Sequence, residues 1–146
     1  MMDKQKLEQR IRSGIPITAH MDFRILELTE NSITVRGGGA ENVNVHGTAF
    51  AGSLYAITTL SLWAMVTSRL PEKATLVMAK AEIQYNKPVV GDIVACCEID
   101  RETMDAFLKK LETDGRARLE AEVHVPSRQE PAAVFKGVVY SRIERN

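Results

Sequence analysis

Hydrophobic and polar positions along this chain follow three rhythms. Residues 3–12 are highly charged, with Leu7 and Ile11 four apart, the spacing of a short amphipathic helix that Ser13-Gly14-Ile15-Pro16 ends. Met104, Phe107, Leu108 and Leu111 repeat that helical spacing, and Gly115 suits the C-terminal cap of a second short helix. The second rhythm is alternation. Phe23–Leu28 and Ser32–Arg36 read as strands joined by a turn at Glu30-Asn31. Ala79, Ala81, Ile83 and Tyr85 share one face of a half-buried strand, while Lys80, Glu82, Gln84 and Asn86 share the outward one. Ile93–Ile99, Ala117–Val125 and Ala132–Ile143 supply three more strands. The third pattern is a run without charge: no carboxylate, ammonium or guanidinium occurs from Asn42 to Ser68.

That run opens as a small-residue loop after Gly37-Gly38-Gly39 and continues as a long apolar helix, about 51–69, which Pro71 closes. A helix apolar on nearly every side is buried in a core or in a membrane. Gly52, Ser53, Thr58, Thr59 and Ser61 within it, and the amphipathic segments around it that need something to cover, place it in a core. The element order is helix, two strands, long helix, two strands, short helix, two strands. This predicts one α+β domain, residues 1–146, with a curved antiparallel sheet of about six strands wrapped around the long helix. One such sheet leaves part of the helix bare, so a second subunit is the natural supplier of the remaining cover. A homodimer is expected, with a tetramer as the other possibility.

Charge and cysteine usage narrow the class. Acidic and basic residues balance at 19 each in 146 residues, so no global field draws the chain to nucleic acid or anionic lipid, and neither nucleic acid nor membrane is an expected partner. Cys96 and Cys97 are adjacent and in a strand point to opposite faces, which fits a reduced, cytoplasmic protein. No apolar signal region precedes the first helix. Three scattered histidines and one Cys-Cys pair offer no ligand spacing, so neither a metal nor a cofactor is expected.

The candidate chemistry lies where the uncharged loop meets the helix, at Asn44-Val45-His46-Gly47-Thr48-Ala49-Phe50-Ala51-Gly52-Ser53-Leu54-Tyr55. Free backbone N–H groups at a helix N-terminus receive an oxygen that develops negative charge. With Glu82-Ile83-Gln84-Tyr85-Asn86-Lys87-Pro88-Val89-Val90-Gly91-Asp92 downstream, these strings resemble the thioesterase domain that in some bacteria follows an N-acetyltransferase domain, within the hotdog-fold thioesterase superfamily. The resemblance covers residues from about 15 to 145. No acetyltransferase segment is in the sequence, so the expectation is a domain that works alone. The resemblance implies the hotdog fold and hydrolysis of acyl-CoA or acyl-carrier-protein thioesters, with coenzyme A entering only as part of the substrate. Many hotdog thioesterases carry an Asn, matched here by Asn44, then His-Gly-Gly six residues later, where this chain has Phe50-Ala51-Gly52, and an acid seven residues after the second Gly. Here that position is Thr59, which puts the usual carboxylate mechanism in doubt.

Each residue of the motif carries two readings. Gly52 lets a thioester carbonyl approach the helix amides, or permits tight helix–sheet packing. The Asn44 amide holds a water or the carbonyl oxygen, or forms a turn after the glycines. His46 is a general base, since imidazole exchanges protons near neutral pH, or it orders the loop. Thr59 orients a water, or its hydroxyl is bonded to the carbonyl four residues earlier. Gly47, Phe50, Ala51 and Ser53 line the substrate side, with Ser53 also read as a first-turn cap. Tyr55 packs in the core or lines the start of an acyl tunnel, and Tyr85 is placed with it. Arg116, Arg118 and Lys87 are candidate partners for the diphosphate of coenzyme A. A non-catalytic module that binds acyl-CoA is the alternative to an enzyme.

Overall fold

A computed structural model of the chain describes residues 1–144. The first helix, α1 (Lys4–Gly14), starts where the Asp3 carboxylate accepts the amides of Gln5 and Lys6. It buries Leu7 and Ile11, the pair that its spacing singles out. A one-turn helix that the sequence does not signal, α2 (Ile17–His20), follows Pro16 and turns the chain toward β1 (Arg24–Leu28) and β2 (Ser32–Gly37). The long helix α3 (Ala51–Thr67) comes next, then β3 (Ala74–Tyr85), β4 (Ile93–Glu98), α4 (Arg101–Asp114), β5 (Arg116–Val125) and β6 (Ala133–Ile143). Asp100 caps α4 by accepting the Thr103 amide, and Gly115 closes that helix in the left-handed conformation at φ 77°.

All six strands join one antiparallel sheet in the order β1-β2-β4-β5-β6-β3. The sheet curls around α3, which packs against β2 through β6 and buries Ile57, Leu62, Ala64, Met65 and Val66 completely. This is the architecture that the resemblance implies. No helix of the described residues is long and apolar enough to cross a membrane. The two edges of the sheet are finished differently. Beside β1, α1 supplies two side chains: Glu8 accepts the Ile25 amide at 2.8 Å, and Arg12 donates at 2.8 Å to the carbonyl of Phe23, just before the strand. Along β3 the edge is long and carries exposed Val77 and Tyr85.

Three boundaries differ from the sequence reading by two residues or more, the first being α1, which runs on to Gly14 rather than 12. Helix α3 ends at Thr67 rather than 69, because the chain tightens there into three-residue steps, with Arg69 bonded to the Val66 carbonyl and Leu70 to that of Thr67. Strand β3 starts at Ala74, five residues earlier than the alternation implies. A bulge between Met78 and Lys80 breaks its phase. Before the bulge Leu76 and Met78 face inward, after it Ala81 and Ile83 do, and Ala79 is exposed rather than aligned with Ala81.

The loop leading into α3 is clasped by the Gly91-Asp92 turn. The Asp92 carboxylate accepts the Gly39 amide at 2.8 Å and pairs with Arg36 at 2.8 Å, and Arg36 reaches on to Asp22 at 3.1 Å. A Cβ on Gly39 would sit 2.8 Å from the backbone carbon of Gly91, which cannot move aside as a side-chain tip can. Gly91 itself holds φ 84°. Replacing Gly39 by Ala is therefore expected to destabilise the fold by roughly 1–3 kcal/mol, the range for overpacking, read as a lowered urea midpoint. An unchanged midpoint would show that the two backbones do not meet as described. The Arg36 and Gly39 hydrogen bonds also hold the Asp92 carboxyl below its ordinary value. A depressed carboxyl adds stability that is present above its unfolded value and lost as pH falls through the folded one. Asp92→Asn is expected to lower the unfolding midpoint at neutral pH, with the gap to wild type closing on acidification below the usual carboxylate range. A gap that stays constant down to strong acid would remove Asp92 from the clasp.

Candidate active site

The segment before α3 is a closed knuckle. Val43 and Ala49 form an isolated antiparallel bridge, Asn44 N–H donates to the Thr48 carbonyl at 2.7 Å, and Gly47 turns the tip at φ 80°. The Asn44 side chain is committed inside this knuckle at both ends. Its Nδ2 donates to Thr48 Oγ1 and the Ala49 carbonyl, and its Oδ1 accepts the amides of His46 at 2.8 Å and Thr48 at 3.2 Å. The turn-forming reading of Asn44 thus describes its geometry. An amide whose two protons are both donated has none left for a substrate oxygen in this conformation.

A second amide, Asn42, does work that the sequence does not announce. Buried to 3 % exposure, it donates from Nδ2 to the carbonyls of Met21 and Gly38, both at 2.8 Å, and the Asn42 backbone carbonyl accepts the Phe50 amide at 2.8 Å. Its place at the first uncharged position, next to the glycine run, was the only signal that could have found it. From the other side, the Val89 carbonyl accepts the Ala49 amide at 2.8 Å. The second motif string therefore positions the first.

Phe50 is the N-cap of α3, with extended backbone at φ −66° and ψ 131°, and no side chain caps the helix. Leu54 N–H bonds to the Phe50 carbonyl, so the amides of Ala51, Gly52 and Ser53 are the ones that helix geometry leaves without an intrahelical acceptor. Ala51 and Gly52 are exposed. Ser53 is buried inside the first turn rather than placed at its cap, because the chain is already helical two residues before it. The Phe50 ring lies against Gly52: a Cβ there would be 2.5 Å from Phe50 Cε2. Tyr85 reaches back from β3 and donates its hydroxyl to the Ala51 carbonyl at 2.9 Å. Partial burial, then the neighbouring Tyr55, raises the Tyr85 phenol above its ordinary value and keeps it a donor. Tyr55 meets Phe135 edge-on at 5.7 Å and stays partly exposed. Val43, Val45, Phe50 and Val90 are exposed apolar residues of the same loops. The sequence reading singled out Phe50 among them and passed over the three valines.

His46 is exposed at the knuckle, and its ring has no hydrogen-bond partner among the described residues. Thr59 departs from the expected back-bond. Thr58 makes that bond instead, to the carbonyls of Leu54 at 2.7 Å and Tyr55 at 3.0 Å, and so takes the carbonyl that Thr59 would have used. The Thr59 hydroxyl is out of solvent and without a partner among the described residues. Seven residues along one helix put it on the same face as Gly52, about 10 Å farther along the axis. The structure brings Phe50, Gly52 and Tyr85 together at the start of α3, the mouth of the candidate site, with Tyr55 one turn in and Thr59 farther down the helix; Ser53 is buried in the first turn, and Asn44, His46 and Gly47 lie in the knuckle that precedes it. Lys87 is set apart, donating to the Arg128 carbonyl at 2.6 Å. Glu82 is exposed opposite Lys136 on the outer face, as its alternation implies.

Among solved structures, a protein of unknown function from Chlorobaculum tepidum is similar over 97 % of this chain and 94 % of its own, at 25 % identity and a TM-score of 0.89. A thioesterase from Shewanella oneidensis, described as putative, is 27 % identical over 97 % of each chain with a TM-score of 0.81. A protein from Pseudomonas aeruginosa described as a probable thioesterase shares the fold at 20 % identity, covering 99 % of both chains with a TM-score of 0.85. The model of the family described as "Putative thioesterase (yiiD_Cterm)" matches residues 4–142, both motif strings included, and the chain belongs to that family.

Proposed function

We propose that this protein hydrolyses acyl thioesters carried on coenzyme A or on an acyl carrier protein. The observation that carries the reading is the uncapped, exposed start of α3: its first amides are free, no side chain caps them, and the Phe50 ring lies against Gly52. Donors fixed in that way stabilise the oxyanion of a tetrahedral intermediate at little reorganisation cost. Gly52, without a Cβ, leaves the approach open once the Phe50 ring moves aside. Tyr55, Tyr85 and Phe50 supply apolar walls for the start of the acyl chain. Asn44 and Gly47 act by shaping the knuckle. The Thr59 hydroxyl is out of solvent and about 10 Å along the helix axis from Gly52, too far to hold water at that amide, so His46 is the group of the loop left to take the proton of the attacking water. The protein works as a homodimer joined along β3, whose long open edge suits strand addition by a second copy. Free thiols at Cys96 and Cys97 fit a cytoplasmic setting.

A second reading, an acyl-binding module without turnover, is favoured by one feature: α3 carries a hydroxyl where the wider superfamily carries an acid. Thiol release from short, medium and long acyl-CoAs and from acyl carrier protein separates the two. Position 52 lies in the first helical turn, where proline is tolerated, so Gly52→Pro deletes one amide while Gly52→Ala adds only a Cβ. Gly52→Pro is expected to lower kcat about 100- to 1000-fold relative to Gly52→Ala, the loss seen when one oxyanion donor is removed. Equal activity in the two variants would take the Gly52 amide out of the mechanism. Binding without thiol release across both carriers would establish the module instead.

A further inference from the structure

A second set of groups lies far from the mouth, on the outer face of the sheet beside the C-terminal end of α4. Arg116 of β5 stands directly opposite Arg142 of β6, and Arg118 stands opposite Tyr140. Both arginines of the first pair are exposed on the same face, since their neighbours Ala117 and Ser141 are buried. Like charges directly opposite on a sheet repel, and none of these three arginines has an ion pair among the described residues. Arg118 lies over the Tyr140 ring at 5.8 Å, which orients its guanidinium. Lys110 of α4 joins Arg116 and Arg118 in a groove of about 590 Å³, and an adjoining hollow of about 460 Å³ shares Asp114, Arg116 and Tyr140 with it and adds Arg142.

We propose that this groove binds the phosphate groups of a nucleotide. Guanidinium forks match phosphate oxygens in pairs, and a phosphate placed between Arg116 and Arg142 turns their repulsion into a shared contact. Two carboxylates, Asp114 and Glu144, also line the groove. They oppose a bare polyanion, but they can accept hydrogen bonds from ribose hydroxyls or a base amino group, so the mixed lining fits a nucleotide better than an acidic protein face. The groove is separate from the mouth in its own chain. Arg142 pairs with Thr75 at the start of β3, and Tyr85, ten residues on, marks the mouth, roughly 30 Å along the strand. The proposal does not rest on hydrolysis, and its test reads binding alone.

Calorimetric titration of the full chain with adenosine 3′,5′-bisphosphate at low ionic strength is expected to give saturable binding that weakens as salt is added. Arg116→Ser and Arg142→Ser, both at exposed positions, should each weaken it about 10- to 100-fold, the loss for a charge-assisted hydrogen bond. Lys136→Ser, on the same face outside the groove, should leave it unchanged. Displacement of the probe by coenzyme A would identify a carried nucleotide as the source, and displacement by ADP but not by coenzyme A a free one. Either result supports the groove. No saturable binding up to millimolar probe, or arginine variants that bind as tightly as the parent, would overturn it.

Discussion

Everything in this fold follows from the need to cover one apolar helix on all sides. Helix α3 carries no charge from end to end, and five strands close around it. Because its flanks are consumed by packing, its N-terminus is the part left to face solvent, and there the missing cap and the small residues leave backbone donors available. The core and the candidate site are thus two ends of one constraint. The helix must be apolar to be buried, and an apolar start has no side chain with which to satisfy its first amides.

The loop that delivers the chain to that start is held by parts distant in sequence. Asn42 ties it to the turn after α2, Val89 to the segment after β3, and Asp92 to the turn before β4. The knuckle around Asn44 is local, but its placement is not. This explains why two motif strings, 44–55 and 82–92, travel together: the second is the bracket for the first.

Alternation, helical spacing and the uncharged run were together enough to read all six strands, the three longer helices and their order from the sequence, because amphipathic elements bury a face with its own period and α3 is apolar all round. What escaped was set by tertiary contacts. The bulge at Ala79 shifts the phase of β3 between two stretches that each alternate correctly. The one-turn helix α2 is too short to show a period. At the site, the position of Gly52 at the helix start was legible from small residues ahead of an apolar run. The inward commitment of the Asn44 amide was not, since a turn former and a substrate ligand have the same letters. Nor was the exchange between Thr58 and Thr59: adjacent threonines on one helix compete for the same carbonyls, and only the packed rotamers decide which of them is left unpaired.

The unequal finish of the two sheet edges limits how copies of this chain can add to one another. On α1, Glu8 accepts the Ile25 amide of β1 and Arg12 donates to the carbonyl of Phe23 just before it, while Trp63 donates to the Leu76 carbonyl of β3, so β3 is the longer and less covered edge among the described residues. A molecule that adds through one edge only cannot propagate a sheet. Two copies meeting along β3, as proposed above, would use up the template that joined them, so growth would stop there by closure rather than continue into a fibre. Any larger assembly must then be built from faces of the sheet, and its contacts would be made by side chains rather than by the backbone.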